Sequence, residues 1–244
     1  MNIPKIALLA TVCALSVSVC GWAAPPCDGF SYIYCQPFDQ TGNAYSSQND
    51  TASLGNFATT YDNFALASNS AIDEVTWQGG FFDPPLSGSP SPSGFALAIY
   101  ADSGGKPGQV LDTVSVSAAE SNPVLIGPEV SGVPGGAGLI YDYSANVGPI
   151  SLQAGSYWLS IVADLQLLSA PPFTVGEWGW HTGKGGDGLA YQTDMGTTSA
   201  INADMAFTLI GTASAAAPEP SALLMAATAA LAGLGAWARK RRRP

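Results

Sequence analysis

The amino-acid sequence predicts an all-β chain: an antiparallel β-sandwich of jelly-roll type, followed by a C-terminal transmembrane helix. Three observations predict it. Short apolar runs, several strictly alternating, recur through the middle of the chain between Gly- and Pro-rich turn clusters. No stretch there of helix-forming length carries a 3.6-residue apolar period. Residues 221–238 are eighteen positions without a charge, closed by a run of basic residues.

The first 23 residues have the parts of a secretory signal. Lys5 supplies a charged start, residues 6–19 an apolar stretch of 14, and Gly21 and Ala23 the small residues that suit cleavage after Ala23. Cys13 and Cys20 leave with that segment. Residues 24–48 are polar and turn-rich and are expected to form a loop-rich N-terminal segment. Cys27 and Cys35 remain there as an even pair in an oxidising compartment, which predicts a disulfide clipping the mature N-terminus. A zinc site is excluded by the lack of partner ligands near the two thiols.

Residues 49–212 carry the sandwich. Strands are expected near 61–66, 72–78, 95–101, 110–116, 139–143, 157–162, 173–178 and 205–210. Phe95, Leu97 and Ile99 share one face, as do Met205, Phe207 and Leu209, while Val75 and Trp77 oppose Glu74 and Thr76. Turns are marked by Asp83-Pro84-Pro85, by residues 103–108 (Ser-Gly-Gly-Lys-Pro-Gly) and by Pro134-Gly135-Gly136. Residues 213–217 read as a linker.

Chemistry is thinly supplied. His181 is the sole imidazole, and no Gly-x-Ser-x-Gly elbow offers it a nucleophile, so it is expected to sit on a surface loop or sheet edge and no catalytic residue is assigned. Asp73 and Glu74 are adjacent in a strand and point to opposite faces, which rules them out as a glycosidase pair. Glu177 and Asp187 bracket a Trp-rich stretch and are the other carboxylates such an activity would need. Trp178 and Trp180 lie two apart, on one face of a strand, and with Tyr191 are candidate glycan contacts; the competing reading packs the tryptophans into the core. No cofactor is expected. Of the metals, a structural calcium ion suits the hard oxygens of loops such as Asp102-Ser103-Gly104-Gly105, although no EF-hand loop is present.

Charge placement bounds the partners. Between residues 24 and 217 two lysines, Lys106 and Lys184, stand against seventeen carboxylates, a net of −15, and no arginine occurs. Such a surface repels phosphate backbones, which excludes nucleic acid, and lacks the guanidinium fork that grips phosphate or carboxylate. Pro218-Glu219-Pro220 then precedes the uncharged stretch 221–238, which spans about 27 Å as a helix. Arg239, Lys240, Arg241, Arg242 and Arg243 follow and fix the cytoplasmic end, with the acidic body outside.

This order of proline-flanked acid, apolar span and basic cluster, covering residues 218–244, resembles the PEP-CTERM sorting signal. The resemblance implies recognition by an exosortase near Pro218-Glu219-Pro220, removal of the tail, and delivery from an inner-membrane precursor to the cell surface or extracellular matrix. The ectodomain, through Tyr61-Asp62-Asn63-Phe64, 72–77, 95–100 and 155–161, is similar to β-sandwiches found ahead of such tails. The expectation is therefore an exported, noncatalytic β-sandwich of the surface or exopolysaccharide matrix. The alternatives are a carbohydrate-binding module and a secreted glycan hydrolase.

Overall fold

The computed structural model describes residues 27, 32–51, 57–81, 92–128, 139–165 and 177–214. The expected signal, linker end and sorting tail lie outside these residues, as do positions 173–176 of one expected strand. Among the described residues no helix is long and apolar enough to cross a membrane.

The described chain is all-β. In order it forms β1 (Tyr32–Gln36), β2 (Ala44–Ser46), β3 (Gln48–Asp50), β4 (Phe57–Leu66), β5 (Ser70–Phe81), β6 (Gly94–Asp102), β7 (Pro107–Ser117) and β8 (Val124–Pro128). It continues with β9 (Leu139–Leu152), β10 (Gly155–Leu165), β11 (Trp178–Gly183), β12 (Ala190–Asp194), β13 (Thr197–Ile201), β14 (Asp204–Met205) and β15 (Phe207–Ala213). Two sheets result. The first runs β1-β15-β5-β11-β14, with β9 on the other edge of β5, β8 on β9 and β2 on β11. The second runs β13-β12-β4-β3-β10-β6-β7, with β4 and β10 also paired directly.

Residues 24–48, expected to be loop-rich, contribute β1 and β2 to the first sheet. The alternating Tyr32-Ile33-Tyr34 run carries β1: it pairs antiparallel with β15, and Tyr34 stacks on Phe207 with ring centroids 5.3 Å apart. The disulfide between Cys27 and Cys35, with Cα atoms 5.9 Å apart, ties the preceding chain to this strand.

Every pairing of the described strands is antiparallel except β3 with β10. The exception has a local cause. The β4–β10 ladder runs from Gly155↔Leu66 to Ser160↔Tyr61 and then opens, and β3 wedges into the gap, antiparallel to β4 and parallel to β10. Its chain has just left the first sheet at Ser47, so it arrives in the direction the crossing dictates.

Alternation sends one face of each sheet into a common core. Phe64, Leu66, Phe95, Leu97, Ile99, Leu159, Ile161 and Leu165 come from the second sheet, and Ile72, Val75, Trp77, Tyr143, Trp178, Trp180, Phe207 and Leu209 from the first. At its centre Trp77 stacks on Tyr143 (5.4 Å, 12° between planes), and Phe95 meets both edge-on. Trp178 Nε1 donates to Tyr143 Oη at 3.3 Å and Trp180 Nε1 to the Ala206 carbonyl at 2.9 Å, whereas Trp77 Nε1 has no partner among the described residues. Gly79 is a glycine because a Cβ there would overlap the Trp178 ring.

Candidate functional site

If one phase of the second sheet fills the core, the other must face away from it. Register fixes what that face presents. Tyr191 of β12 lies opposite Tyr61 of β4, Tyr61 opposite Ser160 of β10, and Ser160 opposite Ala98 of β6. In the next row Asn63, Trp158, Tyr100 and Val110 follow one another across β4, β10, β6 and β7. Three tyrosines and a tryptophan therefore converge on the outer surface of one sheet.

The rings are ordered by one another. Trp158 and Tyr191 meet edge-on at 5.4 Å, and Tyr61 and Tyr100 at 5.3 Å. Tyr100 reaches over Ser160, their hydroxyl oxygens 3.2 Å apart, and burial raises the Tyr100 phenol above its usual pKa. Trp158 is only 1 % exposed although it lies outside the core cluster. Its Nε1 donates to Asp102 Oδ1 at 2.8 Å, and the Gly105 amide donates to Asp102 Oδ2 at 3.1 Å. These donors, the indole first, hold the Asp102 carboxyl below its ordinary range.

A cleft of about 470 Å³ opens where this face meets the end of the sheet. Asn63, Trp158 and Asp102 belong to both, and the cleft adds Tyr34, Ser156 and Asp187. Its size falls within the range of small-ligand sites. Two Gly-rich loops wall it: residues 103–106 after β6, and 184–189 after β11. Asp187 is fixed like Asp102, with Oδ2 accepting from Asn63 Nδ2 at 2.9 Å and Oδ1 from the Leu189 amide at 3.0 Å.

Beneath the cleft lies a buried polar chain. Tyr34 Oη donates to Gln36 Oε1 at 2.6 Å, and Gln36 Nε2 donates to Asp62 Oδ2 and to the Met205 carbonyl, both at 2.8 Å. Asp62 Oδ2 also accepts from the Met205 amide at 2.5 Å, and Oδ1 from the Asn63 amide at 2.8 Å. Burial raises the Asp62 carboxyl well above its ordinary pKa, against the pull of these donors. The chain holds the Tyr34 and Asn63 walls in register with the core.

The candidate glycan contacts separate. Trp178 and Trp180 are fully buried in the core, so neither offers a ring face to a sugar; strand alternation did place them on one side, and that side faces inward. Tyr191, by contrast, is half-buried on the outer face against Trp158. His181 is not a loop or edge residue. It is 1 % exposed on β11, between β2 and the rest of the sheet, with its ring 4.6 Å from that of Phe38. Burial lowers its pKa, and Nδ1 lies 3.3 Å from the Thr182 carbonyl. Asp102 and Asp187 both reach the cleft, but no group of three or more His, Cys, Asp or Glu among the described residues is arranged to hold a metal ion.

Tyr61, Asn63, Tyr100, Trp158 and Ser160 carried part of the β-sandwich resemblance but were given no site role by the sequence. They lie in strands whose apolar phase was legible. The available signal was aromatic residues on the opposite phase, such as Trp158 between Tyr157 and Leu159.

No protein-family model matches this chain, and no curated protein matches it.

Proposed function

We propose that this chain is an exported, noncatalytic β-sandwich protein of the cell surface or exopolysaccharide matrix, sorted through a PEP-CTERM tail. The observation that carries the reading is the sequence of the tail: Pro218-Glu219-Pro220, eighteen uncharged residues, enough to span a bilayer if helical, and then five consecutive basic residues. An exosortase cuts near the motif and releases a body whose charge of −15 over residues 24–217 keeps it soluble and repels anionic surfaces. The two-sheet body and the Cys27–Cys35 bridge suit an exported protein, and jelly-roll connectivity is the reading proposed for that body.

The test is Glu219→Ala, and separately deletion of Arg239 to Arg243. Each should leave a membrane-bound precursor, seen as an uncut species in fractionated cells. Surface delivery equal to wild type in both would overturn exosortase handling.

A second reading, a carbohydrate-binding module, is favoured by one observation: the outward layer of Tyr61, Tyr100 and Tyr191, backed by the buried Trp158, beside the Asp102–Asp187 cleft. Amphipathic rings next to fixed hydrogen-bonding groups suit a polyol. The two readings are compatible, since matrix proteins hold polysaccharide.

A further inference from the structure

The polar groups of the cleft select among glycans, an inference that rests on the carbohydrate-binding reading above. We propose that the cleft and the outer face of the second sheet bind a segment of glycan that bears no acidic groups, with Asp102 and Asp187 accepting its hydroxyls and Tyr191 and Tyr61 supporting its rings.

Three observations carry it. Each oxygen of Asp102 and Asp187 accepts a hydrogen bond from the protein, from Trp158 and Gly105 and from Asn63 and Leu189. An ionised carboxylate has roughly four acceptor positions, so each retains capacity and is pre-oriented for a hydroxyl. Both are already braced by protein donors, so a sugar entering pays little to order them.

The second observation is charge. The cleft lining contains two carboxylates and no cation. Lys184, at the head of one wall, is turned to Asp39, its Nζ 2.8 Å from Oδ1. Lys106 follows Gly105 in the other wall but does not line the cleft. With no arginine between residues 24 and 217, nothing there can grip a uronate, sulfate or phosphate in the bidentate manner that offsets its desolvation. An acidic sugar would meet two fixed negative charges in a negative field.

Third, the aromatic layer and the cleft are continuous through Asn63 and Trp158. A chain seated in the cleft therefore extends over Tyr61 and Tyr191 instead of into solvent, which fits an oligosaccharide better than a free monosaccharide.

The experiment uses the full-length chain in a detergent without a sugar headgroup. Binding of a neutral glucose hexamer, a neutral N-acetylglucosamine hexamer and a uronate hexamer is measured by calorimetry. At least one neutral hexamer should bind, and the uronate hexamer should bind at least tenfold more weakly. Tyr191→Ala and Asp187→Ala should each weaken the neutral complex at least tenfold. Asp102→Asn keeps the shape of the side chain and serves if Asp187→Ala fails to fold; it should weaken the complex too. Uronate binding equal to or tighter than neutral binding would overturn this inference and leave the carbohydrate reading standing. Neutral binding indifferent to all three substitutions would also overturn it, by placing the sugar elsewhere. No binding of any hexamer would sink both.

Discussion

The Ser47 hydroxyl donates to the Ile161 carbonyl at 2.5 Å, joining residues 114 positions apart at the point where the chain leaves one sheet for the other. The same oxygen accepts from the Thr60 amide at 3.1 Å. The Ser47 backbone bonds both sheets, its amide to the Trp178 carbonyl at 3.2 Å and its carbonyl to the Ala163 amide at 2.9 Å. Ser47→Ala keeps the backbone bonds but orphans a buried amide. It should cost about 1–3 kcal/mol, read as a lower denaturant midpoint with an unchanged slope. An unchanged midpoint would show that neither side-chain bond matters.

A gain is expected at the β12–β13 hairpin. Met195 and Gly196 form its two-residue turn, with φ of 45° and 80° at the two positions, and Met195 is 77 % exposed. Positive φ at both positions is the pattern that favours Asn-Gly. Met195→Asn should relieve backbone crowding and raise stability by about 1 kcal/mol without affecting ligand binding. A thermal melt checks it, and a lower midpoint would refute the strain at this residue.

Two buried titratable groups act against each other as pH changes. Asp62 has a raised carboxyl pKa, so its contribution is complete below its ordinary value of 3.8 and is lost as pH rises through the folded value. His181 has a lowered pKa, so its contribution is present above 6.5 and is lost as pH falls through the folded value. Between these limits acidification weakens the His181 site while it favours Asp62. His181→Gln should flatten the loss of stability between about pH 7 and about pH 5, and Asp62→Asn should do the reverse. Melts of wild type and both variants across that range give the answer; parallel curves would absolve both residues.

The disulfide guards an edge. Cys35 lies in β1, at the margin of the first sheet, and its sulfur also accepts from Thr208 Oγ1 at 3.3 Å. Replacing both Cys27 and Cys35 by Ser should destabilise the fold by about 2–3 kcal/mol, the entropy of so short a loop. Hydrogen exchange should quicken in the β1 amides before those of β5. Uniform acceleration instead would show that the bridge stabilises the whole body at once.

Strand legibility in the sequence follows burial. β6 announces itself through Phe95, Leu97 and Ile99 because one face is core and the other is not. β13 (Thr-Thr-Ser-Ala-Ile) is exposed along most of its length at a sheet edge, so no alternation marks it. β2 and β3 are three residues each, too short for a period. Only the head of β9 was legible, since Gly148 and Pro149 interrupt it. They fall where its ladder with β5 skips from Ile72↔Ile150 to Glu74↔Asn146, a bulge that absorbs both. The site was hidden for a related reason. Trp178 and Trp180 form the conspicuous aromatic pair, yet the half-buried rings of the outer face, Tyr61, Tyr100 and Tyr191, come one at a time from three separate strands, and only cross-strand register gathers them.

Because β15 is flanked by β1 on one side and β5 on the other, the last described strand is an inner stave and not a rim. Ser214, whose amide is tied to the Asn69 carbonyl at 2.7 Å, closes the described chain, and every pairing of β15 is made with strands that precede it. A cut at the proposed sorting motif would therefore leave each described strand with the neighbours it has now.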